Sequence, residues 1–233
     1  MSTAEAIVLV GGLGTRLRPV VEDVPKPLAP VAGRPFLAWL LDHLASEGVG
    51  HVVLASGYMA DRIERDLGRR WRGIDLTYSV ESEPLGTGGA LRLAAGRLRT
   101  GAAHVLNGDT FLRYHPAELA RRVRDEGTAL GVALAHVPDA ARYGAVECTA
   151  GRVTGFSEKG RSGPAWINAG CYFLTERALT GLPDLPRFSF EREVLEPLAL
   201  RREVMGFTDT RDFIDIGVPE DYRRAQDWFK ETP

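Results

Sequence analysis

The apolar run Ala6 to Val10 (AIVLV) has no alternation, which predicts a strand buried on both faces. A loop rich in glycine and proline follows, from Gly11 to Pro35. Phe36, Leu37, Leu40, Leu41 and Leu44 then recur at helical spacing, and Gly48 closes that helix. The alternation continues with a strand over 51–56, a short helix over 61–67, a strand over 75–81, a helix over 91–98 and a strand over 104–106. A helix over 116–126 and a strand over 129–137 complete this stretch. Shorter strands follow over 145–148, 153–157, 167–174, 204–207 and 213–216, and a last helix starts at Pro219, a residue suited to a first helical turn. A βαβα order of this kind argues for an α/β fold, its mostly parallel sheet covered by helices on both faces. Ligands in such folds sit beyond the carboxyl ends of the strands. No long linker, low-complexity tract or internal repeat interrupts the pattern. We read one domain, 1–233, with two lobes.

Composition narrows the function. The 233 residues carry 29 basic and 31 acidic side chains, a net charge of -2. That balance argues against a general nucleic-acid or membrane-surface binder. No apolar run approaches the roughly 18 residues of a spanning helix. The opening MSTAEAIVLVGG has no basic stretch, and its apolar run is too short for a secretory leader. Cys148 and Cys171 fit no metal spacing, so a reduced cytoplasm is the expected setting. Only three of the basic residues are lysine: Lys26, Lys159 and Lys230. A chain that so favours arginine has some reason to keep lysine where it does; Lys230, in a charged tail, is a chance survivor.

The loop after the first strand reads GGLGTRLRP, Gly11 to Pro19. Glycines beside a strand end let the backbone approach an anion, and Arg16 and Arg18 add bidentate reach to phosphate. No Gly-Lys-Ser/Thr follows, so this is not a Walker loop, and Leu17 breaks the dinucleotide fingerprint. Lys26 stands in VPKPLAP between Pro25 and Pro27, which stiffen its backbone. Read alone, it is a solvated lysine on a rigid turn. The histidines are dispersed and no Ser-His-Asp set is present, which weakens a hydrolase reading.

GGLGTRLRP followed by VPKPLAPVAGRP resembles the N-terminal signature of the sugar-1-phosphate nucleotidyltransferases. EPLGTGGAL (83–91), LNGDTF (106–111), FSEK (156–159), NAGCYF (168–173) and FIDIGVPEDY (213–222) match the rest of that family's pattern in order. The resemblance covers essentially the whole chain. Within the family it is greatest to the D-glycero-α-D-manno-heptose 1-phosphate guanylyltransferases. The mannose-1-phosphate guanylyltransferases and N-acetylmuramate 1-phosphate uridylyltransferases come next. It implies a Rossmann-like nucleotidyltransferase fold with a mixed, mostly parallel central sheet. Residues 1–110 would mainly bind nucleotide and 111–233 mainly sugar phosphate. The implied reaction joins an NTP to a sugar 1-phosphate and releases pyrophosphate. Its nucleophile is already an anionic oxygen, so the tasks are positioning, neutralising two anions and stabilising the leaving group.

The resemblance also implies roles for residues. Leu9, Gly11, Gly12, Gly14, Thr15, Arg16, Lys26, Glu81, Gly86, Thr87 and Asp109 would bind the nucleotide. Arg16 faces the departing pyrophosphate and Lys26 the α-phosphate. Asp109 and Asp215 would hold Mg²⁺, an ion content with few carboxylates plus phosphate oxygens. Asp212 competes with Asp215, but Gly217 and Pro219 favour the latter. Lys159 would take the sugar's phosphate, although read alone it is a hairpin-tip charge. Gly144, Glu158 and Asn168 would line the sugar pocket. Trp166 either stacks on a pyranose or fills the core, and we favour the core.

Glu81 ends the third strand where uridylyl- and thymidylyltransferase relatives often have Gln. A carboxylate accepts only, which suits the adjacent N1–H and N2–H₂ donors of guanine. Glu83 could serve instead, or Glu81 could face solvent. The expected substrates are GTP and heptose or mannose 1-phosphate, with a homodimer by analogy. The rivals are a uridylyl- or thymidylyltransferase, and a non-catalytic nucleotide-sugar sensor of the same fold.

Overall fold

The computed structural model describes residues 4–12, 17, 21, 24–57, 59–157, 160 and 162–231. The first strand, β1 (Ala4–Leu9), leads through a 3-10 turn (Lys26–Leu28) and the small ladder of β2 (Pro30–Val31) and β3 (Arg34–Pro35) into α1 (Phe36–Ser46). Next come β4 (Val49–Ser56), α2 (Ala60–Leu67), β5 (Arg70–Trp71), β6 (Ile74–Val80), α3 (Gly86–Ala95), β7 (Ala103–Asn107), β8 (Thr110–Tyr114), α4 (Pro116–Asp125) and β9 (Leu130–Val137). The second half adds β10 (Val146–Thr149), β11 (Arg152–Phe156), β12 (Ala165–Leu174), α5 (Glu176–Thr180), a π turn (Glu191–Leu195), α6 (Glu196–Leu200), β13 (Val204–Phe207), β14 (Thr210–Asp215) and α7 (Pro219–Glu231).

Ten strands form one sheet in the order β10-β11-β13-β9-β12-β7-β1-β4-β6-β5. The strands β7, β1, β4 and β6 run parallel to one another. The strand β12 lies antiparallel between β7 and β9, which makes the sheet mixed. The unbroken apolar run of β1 has its expected cause: Ala6 and Val8 enter one core, and Ile7 enters the other. The first core packs α1, α2 and α4 through Leu37, Ile63 and Leu119; the second packs α3, α5 and the π turn through Leu91, Ala178 and Val194. A third cluster seats α7, through Tyr222, Ala225 and Phe229, on Phe36, Phe111 and Ile214. No helix of the described residues is long and apolar enough to cross a membrane.

Three local readings need correction. The helix expected from Leu91 starts at Gly86, so GTGGAL is helix rather than loop. Three glycines in six residues hide a helix from propensity, and tertiary packing on Phe188 overrides it. Residues 110–114 form β8, whose partner β14 is distant in sequence. The segment 175–203, read as no element, holds α5, the π turn and α6.

One buried group makes stability depend on pH. His104 on β7 is fully enclosed, and its Nδ1 finds no partner among the described residues. Burial first, and the Arg124 charge second, push its pKa down to about 3. The unfolded chain therefore binds a proton that the folded chain refuses between about pH 6.5 and about 3. Stability is complete above that window and falls as the pH drops through it, by up to about 1.4 kcal/mol per pH unit. The variant His104→Leu should lose less stability than the parent between pH 7 and pH 4.5, by about 2 kcal/mol in urea unfolding. An equal acid loss in both proteins would place the proton uptake elsewhere.

Candidate active site

A cavity of about 390 Å³ opens beyond the carboxyl ends of β1, β4, β6 and β7. It is the position that a parallel α/β sheet offers a ligand. Leu9, Gly11, Gly12, Lys26, Glu81, Gly86, Thr87 and Asp109 all line it. Residues more than 90 positions apart in the chain thus meet in one place.

The lysine is set by its own turn. Pro25 and Pro27 fix the backbone, Leu28 N–H donates to Pro25 O, and Pro27 and Leu28 are buried as anchors. The Lys26 ammonium donates to Asp109 Oδ2, and its side chain is only 11% exposed. Asp109 leaves the turn after β7, where Gly108 N–H donates to Leu9 O. The pairing of β8 with β14 then brings the second aspartate alongside. Thr110 sits opposite Asp215, and Ile216 N–H donates to Asp109 O. A methyl group added at Gly217 would stand 2.8 Å from Asp215 Oδ1 and 3.3 Å from Lys26 Nζ, so both charged groups crowd the same glycine. Burial first, and then the Asp109 charge, raise the pKa of Asp215; Lys26 and the Gly217 N–H oppose the rise. Two carboxylates held together against their own repulsion, beside one ammonium, suit a divalent cation. The described residues contain no cluster of three or more metal-ligating side chains. With two carboxylates, Mg²⁺ is content to complete its shell with phosphate oxygens and water. Asp212, the competitor, instead pairs with Arg113 at 2.9 Å.

Elsewhere on the cavity wall, Glu81 Oε2 accepts from Leu85 N–H at 3.1 Å, and Oε1 lies over Gly11 and Gly57. Glu83 is exposed and does not line the cavity. The first turn of α3 is tied to a distant segment: Gly88 N–H donates to Phe188 O, and Phe188 N–H donates to Leu85 O.

Gly14, Thr15, Arg16, Glu158 and Lys159 lie outside the described residues. Gly144 and Asn168 are described but do not line this cavity. Gly144 takes a positive φ of 81°, and its N–H donates to Ala140 O. Asn168 donates to Tyr172 Oη at 2.8 Å and accepts from Gly170 N–H at 2.9 Å. Trp166 packs edge-on to His136 against the second core, as the core reading expects. Asn107, Arg187 and Glu191 join the cavity wall without having been anticipated. Asn107 was legible as the neighbour of Gly108 and Asp109. Arg187 and Glu191 come from the unread segment, where no local pattern marks them.

A cavity lined by glycines, a lysine and an aspartate at the carboxyl edge of a mixed α/β sheet is where folds of this class bind nucleotides. The chain matches the nucleotidyl transferase family over residues 5–231, and it belongs to that family of enzymes. It is 40% identical over 223 residues to the D-glycero-α-D-manno-heptose 1-phosphate guanylyltransferase of Aneurinibacillus thermoaerophilus, covering 95% of this chain and 96% of that one. It is 37% identical over 226 residues to the mannose-1-phosphate guanylyltransferase of Mycobacterium tuberculosis, covering 95% of this chain and 63% of that longer one. The crystal structure of HddC from Yersinia pseudotuberculosis complexed with GMP-PN superposes with a TM-score of 0.84 at 33% identity, covering 97% and 99% of the two chains.

Proposed function

We propose that the protein is a sugar-1-phosphate guanylyltransferase. It converts GTP and D-glycero-α-D-manno-heptose 1-phosphate, or mannose 1-phosphate, to the GDP-sugar and pyrophosphate. The observation that carries this reading is a single cavity whose wall holds both the Lys26–Asp109 pair, with Asp215 adjacent to it, and the Glu81 carboxylate. It is supported by the guanylyltransferase relatives and by the GMP-PN bound to HddC.

In this reading Gly11 and Gly12 bring backbone N–H groups to the phosphates, with Arg16 on the departing pyrophosphate. Lys26 neutralises the α-phosphate, and its near burial keeps that charge unscreened. Asp109 and Asp215 would hold Mg²⁺, which when bound would neutralise phosphate charge. Lys159 takes the phosphate of the incoming sugar, and Gly144, Glu158 and Asn168 take its ring. No general base is required, because the attacking oxygen is already ionised. The nucleotide is held mainly by residues 1–110 and the sugar phosphate mainly by 111–233. The free thiols Cys148 and Cys171 and the use of a nucleoside triphosphate support a cytoplasmic setting.

The test is pyrophosphate release with Mg²⁺ across GTP, UTP, dTTP, CTP and ATP against heptose, mannose, glucose and N-acetylmuramic acid 1-phosphates. Fastest turnover with GTP and heptose or mannose 1-phosphate is expected. Fastest turnover with UTP or dTTP would discard guanine and keep the chemistry. Silence with every pair, in a protein that still binds NTP, would favour a sensor.

Glu81 is checked in the same assay. In Glu81→Gln the amide oxygen keeps Leu85 N–H, so the NH₂ turns towards the base and meets guanine donors with a donor. The GTP-over-UTP ratio of kcat/KM should fall at least about tenfold. An unchanged ratio removes Glu81 from base reading.

A further inference from the structure

Glu191 opens the π turn Glu191–Leu195, which runs directly into α6. Single π turns inside helices recur at functional sites. Glu191 lines the cavity together with Gly86, Thr87 and Asn107.

The two oxygens of this carboxylate are used differently. Oε2 accepts from Thr87 Oγ1 at 2.9 Å and from Ser189 Oγ at 3.0 Å. The carboxylate can only accept, which fixes the direction of both bonds. Thr87 Oγ1 already accepts from Phe190 N–H at 2.9 Å, and Ser189 Oγ accepts from Arg192 N–H at 3.3 Å. Each hydroxyl thus donates to Glu191 while accepting from the backbone. Oε1 makes no hydrogen bond among the described residues, and it is not among their sealed, unpartnered polar atoms. The carboxylate is thus held rigidly at one oxygen and open at the other.

Its surroundings include residues assigned above to each substrate. Thr87 belongs to the first turn of α3, on the side of Glu81. Tyr172 is also near: its phenol pKa is raised by burial and, next, by the Glu191 charge, and Asn168 donates to its Oη. Phe190, the residue before Glu191, packs edge-on against the Tyr172 ring at 5.1 Å.

We infer that Glu191 is a specificity-determining residue whose open oxygen accepts a hydrogen bond from a ring hydroxyl of the bound substrate, either the ribose of the nucleotide or the sugar of the sugar phosphate. The inference rests on the transfer reaction proposed above. A fixed acceptor is worth more than a mobile one, because its rotamer entropy is lost on folding rather than on binding. A carboxylate also forms a stronger bond to a hydroxyl than a neutral acceptor does.

The experiment is a cycle of enzyme and substrate deletions, run with the NTP and sugar phosphate that the parent enzyme turns over fastest. Each is compared with its deoxy forms: the 2′- and 3′-deoxy NTP, and the sugar 1-phosphate lacking one ring hydroxyl at a time. In the parent, one deletion should cost about 10- to 100-fold in kcat/KM. In Glu191→Ala the same deletion should cost less than about threefold, because the acceptor is gone. Thr87→Val removes the latch and keeps the carboxylate, so it should lower kcat/KM for both members of the pair while most of their ratio persists. Calorimetric titration of the same pairs reads the discrimination without turnover. A collapse with a deoxy NTP assigns the ribose, and one with a deoxy sugar assigns the sugar. Equal discrimination in parent and Glu191→Ala overturns the inference. So does a collapse confined to GTP against inosine triphosphate, which would put Glu191 on the base. A parent that prefers another nucleotide and sugar defeats the proposed substrates and leaves the Glu191 comparison readable.

Discussion

Asp109→Asn should cut kcat by about 10²- to 10⁴-fold and leave the fold intact. The side chain is nearly the same size, and it is partly open to solvent at 34% exposure, so little packing is lost. What disappears is charge. Lys26, almost enclosed, loses the carboxylate that now accepts from it. Asp215 loses the like charge that helps to raise its pKa, so its carboxyl should ionise more easily in the variant. The site keeps its shape and loses one of two anionic groups suited to a divalent cation. Steady-state pyrophosphate release gives the turnover, and a thermal melt within a few degrees of the parent shows that folding survived. Mg²⁺ titration of activity should need a higher concentration of the ion in the variant. Parent-like turnover would remove Asp109 from the reaction.

Gly86→Ala should damage both stability and nucleotide binding. Gly86 holds a φ of 74°, a left-handed conformation that costs other residues about 1–2 kcal/mol. The added methyl would also stand 2.5 Å from Phe188 O, a backbone atom that cannot swing aside. Either α3 or the 188–191 segment must shift, and the Gly88–Phe188 and Phe188–Leu85 bonds are strained with it. A total loss of about 2–4 kcal/mol lowers the melting temperature by about 5–15 °C at this chain length. The KM for the NTP should rise about tenfold or more, because Gly86 and Thr87 line the cavity. A melt and a KM both at parent values would mean that the first turn of α3 tolerates a side chain and is not held by Phe188.

The two variants probe one cavity, and they were not equally legible. Strand β1 could be read directly, because a sequence buried on both faces has no polar alternation to confuse it. The helices α1, α4 and α7 were legible through periodicity, capping glycine or N-terminal proline. Helix α3 was displaced by five residues, since its first turn is built from glycines that only Phe188 explains. Strand β8 was missed because a strand of five residues is recognised by its partner, and β14 lies about a hundred residues away.

The sequence by itself determined the class of chemistry. A lysine kept between two prolines, in a chain that otherwise uses arginine, and the ordered motifs around Asp109 and Asp215 are local properties that survive in a string of letters. Tertiary structure alone decided who meets whom. It set Asp109 beside Asp215 through the β8–β14 ladder, and it assigned Asp212 to Arg113 instead. It placed Glu81 in the cavity wall, left Glu83 outside it, and brought Arg187 and Glu191 into a site that no pattern in their segment announces. The reason is physical. Backbone periodicity is written every two or three to four residues, whereas a binding site is a contact among residues far apart in the chain, which the sequence records only through the packing it produces.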